Sequence, residues 1–87
     1  MSQPGLMSNA ERLVYTANRI ALNLAAQEPG RAAEATATHI KKFWEPRMIA
    51  RMFGALEKGD VGLNEVAGAA FDILREQADA PAAVAHA

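Results

Sequence analysis

Histidine, cysteine, serine and clustered carboxylates are the side chains from which a small domain could build a reactive site, and this chain supplies few of them. It has two histidines and no cysteine. His39 and His86 are far apart, and neither stands at metal-ligand spacing from another histidine or from a set of carboxylates. His39, just before Ile40, reads as a surface or interface hydrogen-bonding group. Without cysteine there is no thiolate metal site, disulfide framework or cysteine nucleophile. The serines are Ser2, near the start, and Ser8, which is wanted as a helix cap. No glycine-rich phosphate loop is present, and Gly59-Asp60-Val61-Gly62 has the composition of a turn. The expectation is a chain with no catalytic, cofactor-binding or metal-binding residues of its own.

Recognition chemistry is better represented. Phe43-Trp44-Glu45-Pro46-Arg47-Met48 follows the basic pair Lys41-Lys42 and places the single tryptophan beside another aromatic and a helix-breaking proline. Adjacent helical residues point about 100° apart, so Phe43 and Trp44 cannot enter one narrow seam together. Phe43 and Met48 are expected inward, holding neighbouring helices together. Trp44 is expected outward, since tryptophan often carries the energy of an interface. Arg47, Arg51 and Lys58 form a basic stripe, read as a solvated face or as a contact for acidic protein surface or phosphate.

The elements that must position these residues are helical. Apolar residues recur at helical spacing, alanine is abundant, and no segment alternates as a half-buried strand would. The spacing predicts an all-α bundle of four short helices at about 8–27, 31–43, 46–58 and 64–77. Residues 8–77 would form one domain, between loose tails at 1–7 and 78–87. Ser8-Asn9-Ala10-Glu11 has the capping-box form. Glu28-Pro29-Gly30 ends the first helix, and Pro46 forbids continuation of the second while suiting the first position of the third. Gly59 stops the third helix, and Asn64 can cap the fourth.

Met48, Ile49, Met52, Phe53 and Leu56 define the core face of the third helix, and Val66, Ala67, Ala70, Phe71, Ile73 and Leu74 that of the fourth. The first helix has two apolar sides. Leu13, Ala17, Ile20 and Leu24 form one seam; Tyr15, Leu22 and Ala26 lie nearly opposite, as scattered exposed residues or a partner-facing patch.

Eighty-seven residues bury a thin core, because a domain this small removes only about 60% of its unfolded surface from water. A partner surface would add stability. The net charge of −1 argues against a nucleic-acid binder. Charge is unevenly spread: residues 31–58 hold six basic and three acidic groups, and 59–87 hold one basic and five acidic. Apolar runs are short and the start lacks a signal-peptide pattern, so a soluble, cytoplasmic protein with no membrane association is expected. From residues alone, an obligate small subunit of a larger assembly explains the two-sided first helix, the paired aromatics and the thin core together. A helix-turn-helix DNA binder with Arg47 and Arg51 on its third helix is the alternative.

Three stretches carry a resemblance: Ser8-Asn9-Ala10-Glu11-Arg12-Leu13-Val14-Tyr15 with Ala17-Asn18-Arg19-Ile20-Ala21; His39-Ile40-Lys41-Lys42-Phe43-Trp44-Glu45-Pro46-Arg47-Met48; and Gly62-Leu63-Asn64. Over about residues 8–75 the chain resembles the delta subunit of the soluble, NAD-dependent, molybdenum-containing formate dehydrogenases. The corner at Phe43–Met48 is the most specific element. The family pattern has Asp where Glu45 stands, and often where Asn64 stands, both conservative differences.

The resemblance implies a non-catalytic accessory subunit of a bacterial cytoplasmic complex that oxidises formate and reduces NAD. In such a complex the large subunits hold the bis-molybdopterin guanine dinucleotide centre, with molybdenum or tungsten, the iron-sulfur clusters and FMN. This chain would bind the catalytic alpha subunit, with beta and gamma subunits in the same complex. It would support assembly or retention of the molybdenum cofactor, or act as a transient cofactor-insertion chaperone. The expected partner surface comprises Trp44, Arg47, Pro46, His39, Phe43 and Met48, with Tyr15, Leu22 and Arg51 as further members. Alone, the chain could pair with a copy of itself through the same apolar surface.

Overall fold

A computed structural model describes residues 9–79. Four α-helices account for most of these residues: α1 at Asn9–Gln27, α2 at Ala32–Phe43, α3 at Pro46–Glu57 and α4 at Glu65–Asp79. A short 3-10 turn, Pro29–Arg31, joins α1 to α2. No strand occurs among the described residues. The all-α class and the four helices agree with the sequence expectation. The fourth helix runs two residues past the expected end at 77, and Ser8 of the expected capping box, both expected tails save Ala78 and Asp79, and His86 lie outside the described residues.

Local chemistry explains the breaks. Glu28 leaves the helical conformation before Pro29, and Arg31 N–H then donates to the Glu28 carbonyl at 2.9 Å, tightening the turn. Pro46 occupies the first position of α3, where its missing N–H costs nothing. Glu45 before it is extended at φ −71°, ψ 148°, as a residue preceding proline must be. After α3, Gly59 and Gly62 take φ of 136° and 94°, values that side chains other than glycine's rarely tolerate. Asp60 accepts a hydrogen bond from the Gly62 N–H at 2.9 Å, closing the turn. Asn64 caps α4 as expected, its Oδ1 accepting from the Ala67 N–H at 2.8 Å.

The core is built from small residues around a few large ones. Ala17 and Ala21 of α1, Ala37 of α2, and Ala67 and Ala70 of α4 are buried, so these three helices approach closely. Phe71, Ile40, Met52 and Thr36 are the largest fully buried side chains. α2 packs most extensively on α4 and next on α1. α3 shares little surface with α2 despite following it in the chain, and Met52 is its one buried residue. Ring contacts tie α3 to α4: Phe53 meets Phe71 edge-on at 6.2 Å, and the Arg75 guanidinium lies 4.8 Å from the Phe53 centroid.

Asn18 fastens the loop before α4 onto α1. Its Nδ2 donates to the Gly62 carbonyl at 3.0 Å, its Oδ1 accepts from the Asn64 N–H at 2.7 Å, and its own carbonyl accepts from Asn64 Nδ2 at 3.3 Å. Two of the stretches that carry the family resemblance therefore meet in space.

The expected division at the corner is reversed. Trp44 is buried at 8% exposure, with its ring 5.8 Å from that of Phe71, whereas Phe43 is 66% exposed. The reason lies in where the helix stops. Trp44 N–H still donates to the Ile40 carbonyl at 2.8 Å, but its ψ of 144° ends the helix there. Ala37, Ile40 and Trp44 fall at i, i+3 and i+7, so Trp44 is the last member of the α2 seam. Phe43 lies beside that seam at the helix end, where no element among the described residues covers it. Met48 is half-buried against the core, the inward placement expected of it.

Candidate partner-binding surface

The residues singled out for a partner surface divide into three groups. Trp44 belongs to the core, so its indole has little area left to offer a second protein. Around Phe43 the structure gathers His39 and Lys42: the His39 ring lies 4.7 Å from the Phe43 ring at a tilt of 44°, and Lys42 Nζ lies 5.9 Å from its centroid. Phe43 is thereby held in place while exposed. The same two neighbours line a shallow depression along α2, which Phe43 bounds and which Leu24 of α1 enters.

The second group surrounds a cleft of about 310 Å³ between the first turns of α1 and α3. Arg47, Met48 and Arg51 line it from α3, Asn9, Arg12 and Leu13 from α1, and Glu45 from the corner. The three arginines are exposed while Leu13 and Met48 are half-buried, so charge sits at the rim and apolar surface at the base. Pro46 is exposed beside it, on a second depression with Glu45 and Arg47.

The third group lies on the outer side of α1. Tyr15 and Leu22 are 53% and 62% exposed, opposite the buried Ala17 and Ala21. Arg19 Nη1 donates to the Tyr15 hydroxyl at 3.1 Å, with its guanidinium 5.8 Å from the ring. On a helical projection Arg12, Tyr15, Arg19 and Leu22 share one outward arc, so the apolar patch of α1 runs toward the arginine cleft.

The residue missed in sequence is Arg12. Its signal was weak, because nothing in local spacing says that the start of α1 will face the start of α3. Asn18 belongs to a stretch that carries the resemblance but has no local signal for a role, and its three hydrogen bonds cross more than forty residues of chain. Lys58 of the expected basic stripe lies at the C-terminal end of α3, outside the cleft lining. Among the described residues no group of three or more His, Cys, Asp or Glu side chains comes together as a metal site, and there is no cysteine for a cluster. No helix among the described residues is long and apolar enough to cross a membrane.

A family model described as the NADH-dependent formate dehydrogenase delta subunit, FdsD, matches residues 12–71. The chain belongs to this family. The matched region begins at Arg12 in the first turns of α1 and ends at Phe71 in the core, so it takes in the corner, the cleft arginines and both partners of the Asn18 fastening. No curated protein and no solved structure matches the chain. FdsD membership makes the chain a subunit of an oxidoreductase complex with other subunits.

Proposed function

We propose that this FdsD-family chain is a non-catalytic accessory subunit that attaches to the large catalytic subunit of an NAD-dependent formate dehydrogenase in the bacterial cytoplasm. Attachment supports assembly of that subunit or retention of its molybdenum cofactor. The redox groups of the complex, namely bis-molybdopterin guanine dinucleotide with molybdenum or tungsten, iron-sulfur clusters, FMN and bound NAD, belong to the other subunits, including beta and gamma.

One observation carries the reading: Phe43 stands 66% exposed at the family's most specific corner, steadied by His39 and Lys42. An exposed aromatic already ordered by its neighbours is the kind of ring that an interface uses as its buried anchor. Arg47 and Arg51 flank the corner with planar guanidinium forks suited to carboxylates and carbonyls. Tyr15 and Leu22 extend the apolar surface along α1.

Coexpression with the catalytic subunit tests this. Phe43→Ala should fold normally yet weaken attachment by about 2 kcal/mol, roughly thirtyfold in affinity. The readouts are copurification and molybdenum bound per catalytic subunit. Unchanged copurification and metal content with a folded variant would sink the proposal. Retention of the chain in purified, active enzyme marks a permanent subunit, and its loss marks an assembly factor.

A further inference from the structure

The arginine cleft has a composition that asks for a particular occupant. Arg12, Arg47 and Arg51 stand at its rim, and Glu45 is the one carboxylate in its lining. The ion pairs seen among the described residues, Arg31 with Glu34 and Arg75 with Glu57, lie away from the cleft and involve none of its three arginines. Three guanidiniums share this opening with a single carboxylate, and like charges gathered in excess repel one another. The lining of the free chain is therefore net positive.

We infer that the cleft seats an acidic, extended segment of a protein partner, whose carboxylates pair with Arg12, Arg47 and Arg51 while an apolar side chain between them rests on Leu13 and Met48. Charge complementarity names the carboxylates: three fork-shaped donors around one opening match planar, bidentate acceptors. The base names the rest. A lone phosphate has no use for a half-buried Leu13 and Met48, whereas a peptide places side chains of both kinds within a few ångströms. The volume of about 310 Å³ is also at the small end for an enclosed small-molecule site. The outward arc of α1, with Tyr15 and Leu22, continues the surface beyond the cleft.

This inference rests on attachment to the catalytic subunit and adds to it the contact chemistry and Arg12. Calorimetric titration of the full-length chain against the purified catalytic subunit, at about 50 and about 300 mM salt, separates the two. Arg12→Glu, Arg47→Glu and Arg51→Glu alter exposed positions, so circular dichroism should show native helix content. Each should weaken binding by about tenfold or more at low salt, and the triple variant should lose the salt dependence that the unmodified chain shows. Arg47→Lys, which keeps charge and loses the fork, should fall between.

Salt-independent binding, equal for unmodified and charge-reversed chains, would overturn the cleft assignment and leave the attachment proposal standing. No binding by the unmodified chain would overturn both. Inorganic pyrophosphate titrated onto the isolated chain provides the other arm. Saturable binding abolished by Arg47→Glu, with catalytic-subunit affinity unchanged, would overturn the inference and give the cleft to a phosphate ligand. Sedimentation covers a second copy: a salt-sensitive dimer abolished by Arg47→Glu, again with unchanged subunit affinity, would overturn it in favour of self-association.

Discussion

Trp44 and Phe43 are neighbours in sequence with opposite environments, and truncation should separate them. Trp44→Ala removes a ring packed on Phe71 and should cost about 3–5 kcal/mol, measured by chemical denaturation. Phe43→Ala touches a ring that is 66% exposed, so its effect on stability should stay within about 0.5 kcal/mol. A destabilised Phe43→Ala with an unaffected Trp44→Ala would contradict this packing. Thr36 offers a third residue-level test. Its hydroxyl is buried at 0% exposure and has no hydrogen-bond partner among the described residues. Thr36→Val keeps the shape and removes the unmet polar atom, so it should stabilise the fold by about 1 kcal/mol. A marked loss of stability would mean that the hydroxyl has a partner. These residues also show how far local reading reaches. Both Phe43 and Trp44 are compatible with Ile40 by spacing, at i+3 and i+4, and the end of α2 at Trp44 decides between them.

At the scale of elements, the helix boundaries were legible because they are set by residues acting on their own backbone. Pro46, Gly59 and Asn64 do the same thing in any tertiary setting: remove a donor, permit a positive φ, or cap a free N–H. How the helices are joined was not legible. Asn18 lies mid-helix with no turn or cap to serve locally, and its value appears only when the loop at Gly62–Asn64 folds over it. Asn18→Ala removes both side-chain hydrogen bonds and should cost about 2 kcal/mol. Asn18→Asp keeps the acceptor for the Asn64 N–H but sets a carboxylate against the Gly62 carbonyl, so it should not restore stability. Equal stability of all three proteins would show that the loop is held by apolar contact alone. α3 is the least embedded helix, resting on Met52, on the Phe53–Phe71 contact and on Arg75, which also pairs with Glu57 at 3.8 Å. Its outer face remains available, and that face carries Arg47 and Arg51.

At the scale of the whole molecule, small size and uneven charge point the same way. A core assembled from five buried alanines and few large side chains leaves little apolar area to offset chain entropy. Burial of Phe43, Tyr15 and Leu22 against a partner would add to it. The basic excess in residues 31–58 is partly gathered at the cleft, where Arg12 joins from a separate stretch of chain. The salt dependence expected of binding is a property of that gathering rather than of any one arginine. The sequence by itself determined the helical class, the helix ends, the family-specific corner and the basic and apolar character of its residues, since each follows from local backbone chemistry or residue type. Only the tertiary structure decided that Trp44 turns inward and Phe43 outward, that Asn18 holds the distant loop, and that Arg12 completes a cleft with Arg47 and Arg51. These depend on which helix surfaces meet, and close packing of the whole core settles that choice at positions where local spacing allows more than one.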